Sequence, residues 1–513
     1  MAINADRKYT KEFVMTLLDG VIGKTLGEVD FSGQFMRTKK SEKITGIAGD
    51  VIEQSVFRYN RDSKQECDIE IDGIQTELKT TGVRVPKKDL KIAESKTGAD
   101  YNILLGAKEG ISITRMTLEP TYQRDFYTSH FWEKAKNLLI VFYDYKAYEV
   151  VPASHYATFP IVGYCFNRFT ANDQSMLRSD WEIVRDFIAP YYTLYPLPEE
   201  RREAMVGFTH KLRSQLLLVD LVPSYKRLKG GSYQTPRYRL KQTFVDYLVR
   251  RHFRNEHERK EETLAKSFSS FAELDKRCKE LTHIYKGKTF NELKEIFEIE
   301  TSIESKNFSS LCIIRMFGGS GNKLSEITDF SKAGIIPKTI TLYPNGAHSE
   351  DMKLRRIDFD EWSDRDTNFE ESEIYEYFSE HSLLCPIFCE HDSLHQNLTT
   401  FEGFKRFAFD DEFLYSTVKK TWEDSRHLIH TNTLEWEYQF DKDGNPLKNK
   451  SGSYRGAPNF PKSADYTIFF RGGSNDSSDK HRTEIVNNIK MLPQYYWLKG
   501  SYVAGKLKTL PYI

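Results

Sequence analysis

The chain has 513 residues, of which 39% are hydrophobic and 29% charged, a balance that suits a globular protein and argues against disorder. That length exceeds one ordinary core, so two or more domains are expected. No run of eighteen apolar residues occurs and the first residues lack the apolar stretch of a signal peptide, so no membrane partner is expected and a bacterial cytoplasmic location is. Six scattered cysteines form no CxxC pair, which gives neither a disulfide framework nor a zinc ribbon. Cys385, Cys389 and His391 sketch a metal site on paper, but thiols in a buried strand are the simpler reading.

Net charge is zero, yet it is unevenly spread. Residues 201–254 carry thirteen Lys/Arg against three Asp/Glu, and residues 351–380 carry eleven acids against four bases. A basic segment inside a neutral chain is the footprint expected of phosphate contact, and equally of a solvated helical surface.

In chain order, residues 11–26 place apolar side chains at helical spacing. Ile69, Ile71 and Ile74 alternate with polar residues, the period of a half-buried strand. Between them Asp72-Gly73 is a two-residue hairpin signal, because both central positions of a type I′ turn need positive φ. Residues 137–143 form a short apolar run suited to a buried strand. Residues 178–188 read as a helix with Trp181, Val184 and Ile188 on one stripe. The highly charged run 255–262 has no apolar period and reads as a boundary.

Beyond it the chain repeats itself. Gly23-Lys-Thr-Leu-Gly-Glu-Val29 returns as Gly287-Lys-Thr-Phe-Asn-Glu-Leu293, at an offset of 264. Tyr238-Arg-Leu-Lys-Gln-Thr-Phe-Val245 returns as Tyr496-Trp-Leu-Lys-Gly-Ser-Tyr-Val503, at an offset of 258. Near-equal offsets in the same order imply a duplicated mixed α/β domain: residues 1–254, a linker 255–284, and residues 285–513.

The hairpin carries the chemistry. With Asp72-Gly73 as its loop, Glu70 faces Gln75 and Asp68 faces Glu77. Opposed residues bring their Cβ atoms about 4.5–5.5 Å apart, where two carboxylates repel unless a cation lies between them. Carboxylate oxygens plus water are what Mg²⁺ accepts. Lys79, two residues beyond Glu77, projects from the same face, where an ammonium can orient water or stabilise charge on a reacting phosphate. Read without other context, the same pattern also describes an ordinary surface hairpin with a Glu77–Lys79 pair.

Six segments in order resemble one family. They are Gly23-Lys-Thr-Leu-Gly-Glu; Gly49-Asp-Val-Ile-Glu53; Asp68 with Glu77-Leu-Lys79-Thr; Ser129-His130 with Lys134; Leu177-Arg-Ser-Asp-Trp-Glu182; and Leu240-Lys241 with Phe244. Together they resemble the MutH mismatch-repair nicking endonuclease and the related Sau-three-A type restriction endonucleases. The resemblance implies a restriction-endonuclease-like core, a mixed sheet flanked by helices, with Mg²⁺ as cofactor and cleavage of double-stranded DNA at GATC. It implies that Asp68 and Glu77 hold the metal, Lys79 helps activate water, Glu53 supports the metal or its waters, and Lys134 contacts water or the substrate phosphate. The family's aspartate usually stands two residues nearer the glutamate, which here is Glu70, so Asp68 and Glu70 compete for that role. Arg239 falls where the repair enzymes have a tyrosine near the adenine, so methylation sensitivity does not carry over.

In the second half, Asp329 and Lys338 resemble remnants of the same core, with Ile336 at the glutamate position and Ile314 near that of Glu53. That half is expected not to cut. Its segment from Phe469 to Asp476, with Leu492-Pro and Tyr496-Trp-Leu-Lys499, resembles the DNA-facing end of the second domain of the Sau-three-A type enzymes, which implies an effector copy of DNA. Arg239, Lys241 and Lys499 are the candidate DNA contacts. The reading is a type II restriction endonuclease that self-associates on DNA. The alternatives are a strand-nicking MutH-like enzyme and a catalytically silent GATC-binding protein.

Overall fold

The computed structural model describes residues 6–44, 46–59, 66–148, 151–254, 264–347, 350–359, 361–392, 394–449, 452, 454–474, 476 and 478–513. In the first half a mixed sheet runs in the order Lys8–Tyr9, Ile69–Ile71, Ile74–Arg84, Leu138–Asp144, Ile161–Asn167, with Gly106–Ala107 added to Ile74–Arg84. Leu138–Asp144 is buried throughout, as an apolar run covered on both faces should be. Its alternate residues Leu139, Val141 and Tyr143 pack against Val14, Leu18, Val51 and Ile52 on one face. Leu138, Ile140 and Phe142 turn to Leu177, Trp181 and Val184 of the helix Ala171–Leu194 on the other. The helix expected over residues 11–26 stops at Asp19. Gly23 adopts φ +84°, and the following segment turns back to bond the sheet edge, Gly23 N–H to Ile161 O and Leu26 N–H to Phe159 O.

The second half repeats this plan. Ile335–Pro337 and Ile340–Leu342 run parallel to Ser382–Cys389, which pairs antiparallel with Thr400–Ala408. In the first half Ile74–Arg84, Leu138–Asp144 and Ile161–Asn167 have the same relations. A three-stranded sheet Ile111–Arg115, Arg237–Leu240, Val219–Val222 is matched by Met352–Arg356, Gln494–Leu498, Ile468–Gly472. The two GKT segments do the same work at both sites. Gly287 N–H bonds Phe401 O as Gly23 N–H bonds Ile161 O, and the backbone N–H groups of Thr25 and Thr289 each donate to the carboxylate of the glutamate three residues on, Glu28 and Glu292. Cys385 is buried inside its strand, as the simpler reading of the cysteines expects.

Two expectations need correction. Residues 255–263 of the expected linker lie outside the described residues, but the rest of it is core. The helix Phe271–Tyr285 buries Phe271, Leu274, Cys278 and Leu281, in an apolar cluster that also contains Phe244, Leu248 and Trp181 of the first half. The halves therefore share one of their apolar clusters, across which Lys332 and Asp173 form a buried ion pair at 2.9 Å. Asp329 is also not a hairpin carboxylate. It lies in the helix Thr328–Lys332, accepts the Leu264 N–H and sits 3.7 Å from Lys332. A short helix stands where the first half has its carboxylate hairpin, so spacing alone misassigned this residue.

Candidate active site

The hairpin forms as its turn chemistry requires. Asp72 and Gly73 have φ +48° and +78°, and Ile71 pairs with Ile74, Glu70 with Gln75, Ile69 with Thr76. One step further Asp68 comes to Glu77, and its Oδ2 accepts the Leu78 N–H at 3.0 Å. Glu77 then leaves the hairpin ladder, its N–H bonding Asn137 O. The strand is thus pinned between Ile69–Ile71 and Leu138–Asp144 at the glutamate. Lys134 arrives from the helix His130–Ala135, which is started by Ser129 capping Trp132 N–H.

Glu77 is 2% exposed and Lys134 8% exposed. The Glu77 carboxylate accepts from Lys79 Nζ on Oε1 at 2.6 Å and from Lys134 Nζ on Oε2 at 2.8 Å. Burial and the neighbouring Glu77 charge raise the Asp68 carboxyl above its usual range. Glu77, Asp68 and Glu53 together hold Lys79 charged in spite of its burial. Glu53 stands at the start of the π-helical turn Ile52–Val56 that ends the helix Ile47–Val51, a distortion frequent at functional sites. Glu53, Asp68, Glu77, Lys79 and Lys134 therefore share one electrostatic field of three carboxylates and two ammonium groups.

Among the described residues no group of three His, Cys, Asp or Glu lies at metal-binding spacing. The donors present nevertheless suit Mg²⁺, which takes one or two carboxylates, several waters and substrate phosphate in preference to an all-protein cage. The Glu77 charge disfavours ionisation of Asp68, which a hard dication between them would reverse.

Glu70 shares the face of Asp68 but is held elsewhere. It accepts from Gln75 Nε2 at 2.9 Å and pairs with Lys8 at 3.4 Å. The motifs give no role to Cys67 and His130, yet both border the site. Burial and the Glu77 charge push the Cys67 thiol up to about 11. Burial, then Lys134, lower the His130 imidazole. Cys67 stands one residue before Asp68, and His130 stands one helical turn before Lys134 in the segment already singled out with it.

The candidate DNA contacts fare differently. Arg239 is not presented outward: its guanidinium meets Glu380 at 2.5 Å and Glu376 at 3.6 Å, both from the helix Glu373–Glu380 of the second half. Lys241 is buried and donates to Leu216 O at 2.6 Å, and burial lowers its pKa. Asp180 of the Leu177–Glu182 motif is structural as well, accepting the N–H groups of Leu217, Leu218 and Val219. Lys499 is half-buried at the start of the helix Gly500–Thr509. The basic and acidic segments thus partly neutralise each other across the seam. Asp358 joins Arg84 and Lys87 in the same way, at 3.1 and 2.7 Å. Exposed cations remain on the hairpin of Lys226–Arg227 and Tyr233–Gln234, at Lys226, Arg227 and Lys229, and at Arg237 just beyond it.

A mixed sheet flanked by helices, with Asp68, Glu77 and Lys79 at its hairpin and Lys134 brought to them from a helix, has the make-up of a restriction-endonuclease-like fold. Residues 57–180 match the family described as DNA mismatch repair enzyme MutH. The type II restriction enzyme Sau3AI of Staphylococcus aureus is 22% identical over 538 aligned positions, which cover 98% of this chain and 99% of that one. Both likenesses point to the MutH and Sau3AI type of enzyme. The family match includes Asp68, Glu77, Lys79 and Lys134 and begins after Glu53.

Proposed function

We propose that the chain is a type II restriction endonuclease that hydrolyses double-stranded DNA at GATC with Mg²⁺, using the first half for the chemistry. The observation that carries this reading is the Glu77 carboxylate, buried and clamped by Lys79 and Lys134 beside Asp68. Asp68 and Glu77 would hold the metal, with Glu53 on its waters. When bound there, Mg²⁺ would neutralise charge on the scissile phosphate and lower the pKa of a bound water. Lys79 Nζ, held charged by its carboxylate neighbours, donates a hydrogen bond that orients the attacking water. Lys134 Nζ, released from Glu77, faces the phosphate oxygens that gain charge.

Among the described residues the second half has no matching carboxylates. Ile336 stands at the glutamate position, and Lys338 donates to Lys353 O at 2.9 Å in a buried setting that lowers its pKa. This half binds a second copy of DNA as effector, and two chains meet on DNA so that each supplies one cut. The test is digestion of a sequenced plasmid carrying several GATC sites, with mapping of the ends. Linear fragments ending at GATC support the reading, nicked circles only would favour a strand-nicking enzyme, and binding without cutting would favour a silent GATC-binding protein. Lys79→Ala that still cuts at the parental rate would refute the site. Equal cutting of plasmids with one and with several sites would count against the effector role.

A further inference from the structure

Tyr59 is 3% exposed, and among the described residues its hydroxyl has no hydrogen-bond partner. Its near neighbour Tyr9 shows what a structural hydroxyl does in the same apolar layer: it donates to Phe57 O at 2.9 Å. A buried polar atom without a partner is unusual and calls for an explanation such as a bound water or ion. The backbone ties Tyr59 to Glu53. The π-helical turn closes with Phe57 N–H on Ile52 O, Arg58 takes φ +59°, and Tyr59 N–H returns to Glu53 O at 3.2 Å. A non-glycine residue in the left-handed region is held there by its surroundings. The Arg7 guanidinium, 4.6 Å from the ring centroid, covers the ring. Burial, then the charges of Glu53 and Asp68, keep the hydroxyl protonated and therefore a donor.

We propose that Tyr59 is a positioning residue of the nuclease site, whose O–H donates to a water shared with Glu53 and Asp68 and so fixes the hydration shell of the divalent cation. This deepens the reading of the site as Mg²⁺-dependent and rests on it. A hydration shell needs oriented donors and acceptors around the ion's waters, and such outer partners are worth about ten- to a hundredfold in metal affinity or activity. Glu53 and Asp68 supply acceptors, and Tyr59 supplies a donor.

The test uses full-length Tyr59→Phe, which keeps the ring and its contact with Arg7, beside full-length Tyr9→Phe, which removes a hydroxyl with a structural partner. Calcium binding is measured by calorimetry without DNA, Mg²⁺ dependence by cleavage, and folding by thermal melting. For Tyr59→Phe the Kd for Ca²⁺ and the Mg²⁺ half-saturation rise about tenfold, kcat falls, KM for DNA stays within about twofold, and the metal-free Tm does not fall. Tyr9→Phe lowers Tm and leaves the Ca²⁺ Kd unchanged. A parent that cuts, with Tyr59→Phe binding Ca²⁺ as tightly as the parent, overturns the role of Tyr59 alone. Equal weakening of Ca²⁺ binding in both variants also overturns it. A parent that neither binds Ca²⁺ nor cuts overturns the reading of the site itself.

Discussion

Replacing Lys134 by methionine separates the two tasks assigned to the clamp on Glu77. Both oxygens of Glu77 are occupied by ammonium groups, at 2.6 and 2.8 Å, and a dication needs at least one of them. A hydrogen bond to a charged group contributes about 1.5–3 kcal/mol. Lys134→Met therefore tightens metal binding by about ten- to a hundredfold, at 1.4 kcal/mol per tenfold. Loss of a positive donor where the phosphate gains charge lowers kcat by about 10²–10³, or about 2.7–4 kcal/mol. Methionine fills the volume of the lysine stem, which is 8% exposed, so folding is preserved. The assay is cleavage of a GATC-containing duplex across a Mg²⁺ titration, with Ca²⁺ binding measured in parallel. A lower half-saturating Mg²⁺ with a much lower kcat is expected. An unchanged kcat, or a higher Mg²⁺ requirement, would refute the clamp as the switch between lysine and metal.

Asp68→Asn is expected to abolish cutting, whereas Glu70→Gln, whose carboxylate is tied to Gln75 and Lys8, keeps activity within about threefold; the reverse pattern in a plasmid assay would make Glu70 the metal ligand. Lys332→Met strands the buried Asp173 carboxylate and costs about 3–5 kcal/mol; calorimetry should show one lowered transition, and two separated transitions would contradict the shared core. Gly73→Ala meets no atom within 4 Å but must hold φ +78°, so a loss of about 1 kcal/mol from backbone strain alone is expected in denaturant melts, with little effect on kcat. Burial and the Glu373 charge push Glu361 up from 4.5 to about 8. Its contribution is full below pH 4.5 and is lost as pH rises to about 8, because the unfolded chain ionises first, at about 1.4 kcal/mol per pH unit. Glu361→Gln should therefore raise Tm at pH 8 more than at pH 5, and an equal shift at both would sink the assignment.

Local chemistry in the sequence determined the hairpin. Asp72-Gly73 accepts only a tight turn of positive φ, and strand alternation then puts Asp68, Glu77 and Lys79 on one face whatever the rest of the chain does. The apolar run at 138–144 and the stripe of Trp181, Val184 and Ile188 were legible for the same reason, since burial has a period. Lys134 came from an ordered resemblance, because no local rule brings a helical lysine to a strand glutamate 57 residues away. What only the tertiary structure decided lies at the seam and in the second half. Charge counts cannot tell whether Arg239 meets a phosphate or Glu380, because both are anions that satisfy the same guanidinium. Spacing could not tell that Asp329 stands on a helix, nor that residues 264–284 are core, since an amphipathic segment reads alike whether it buries against its own half or the other. Turns and periods are set by neighbours in the chain, but partners of buried charges are set by whatever the fold brings alongside.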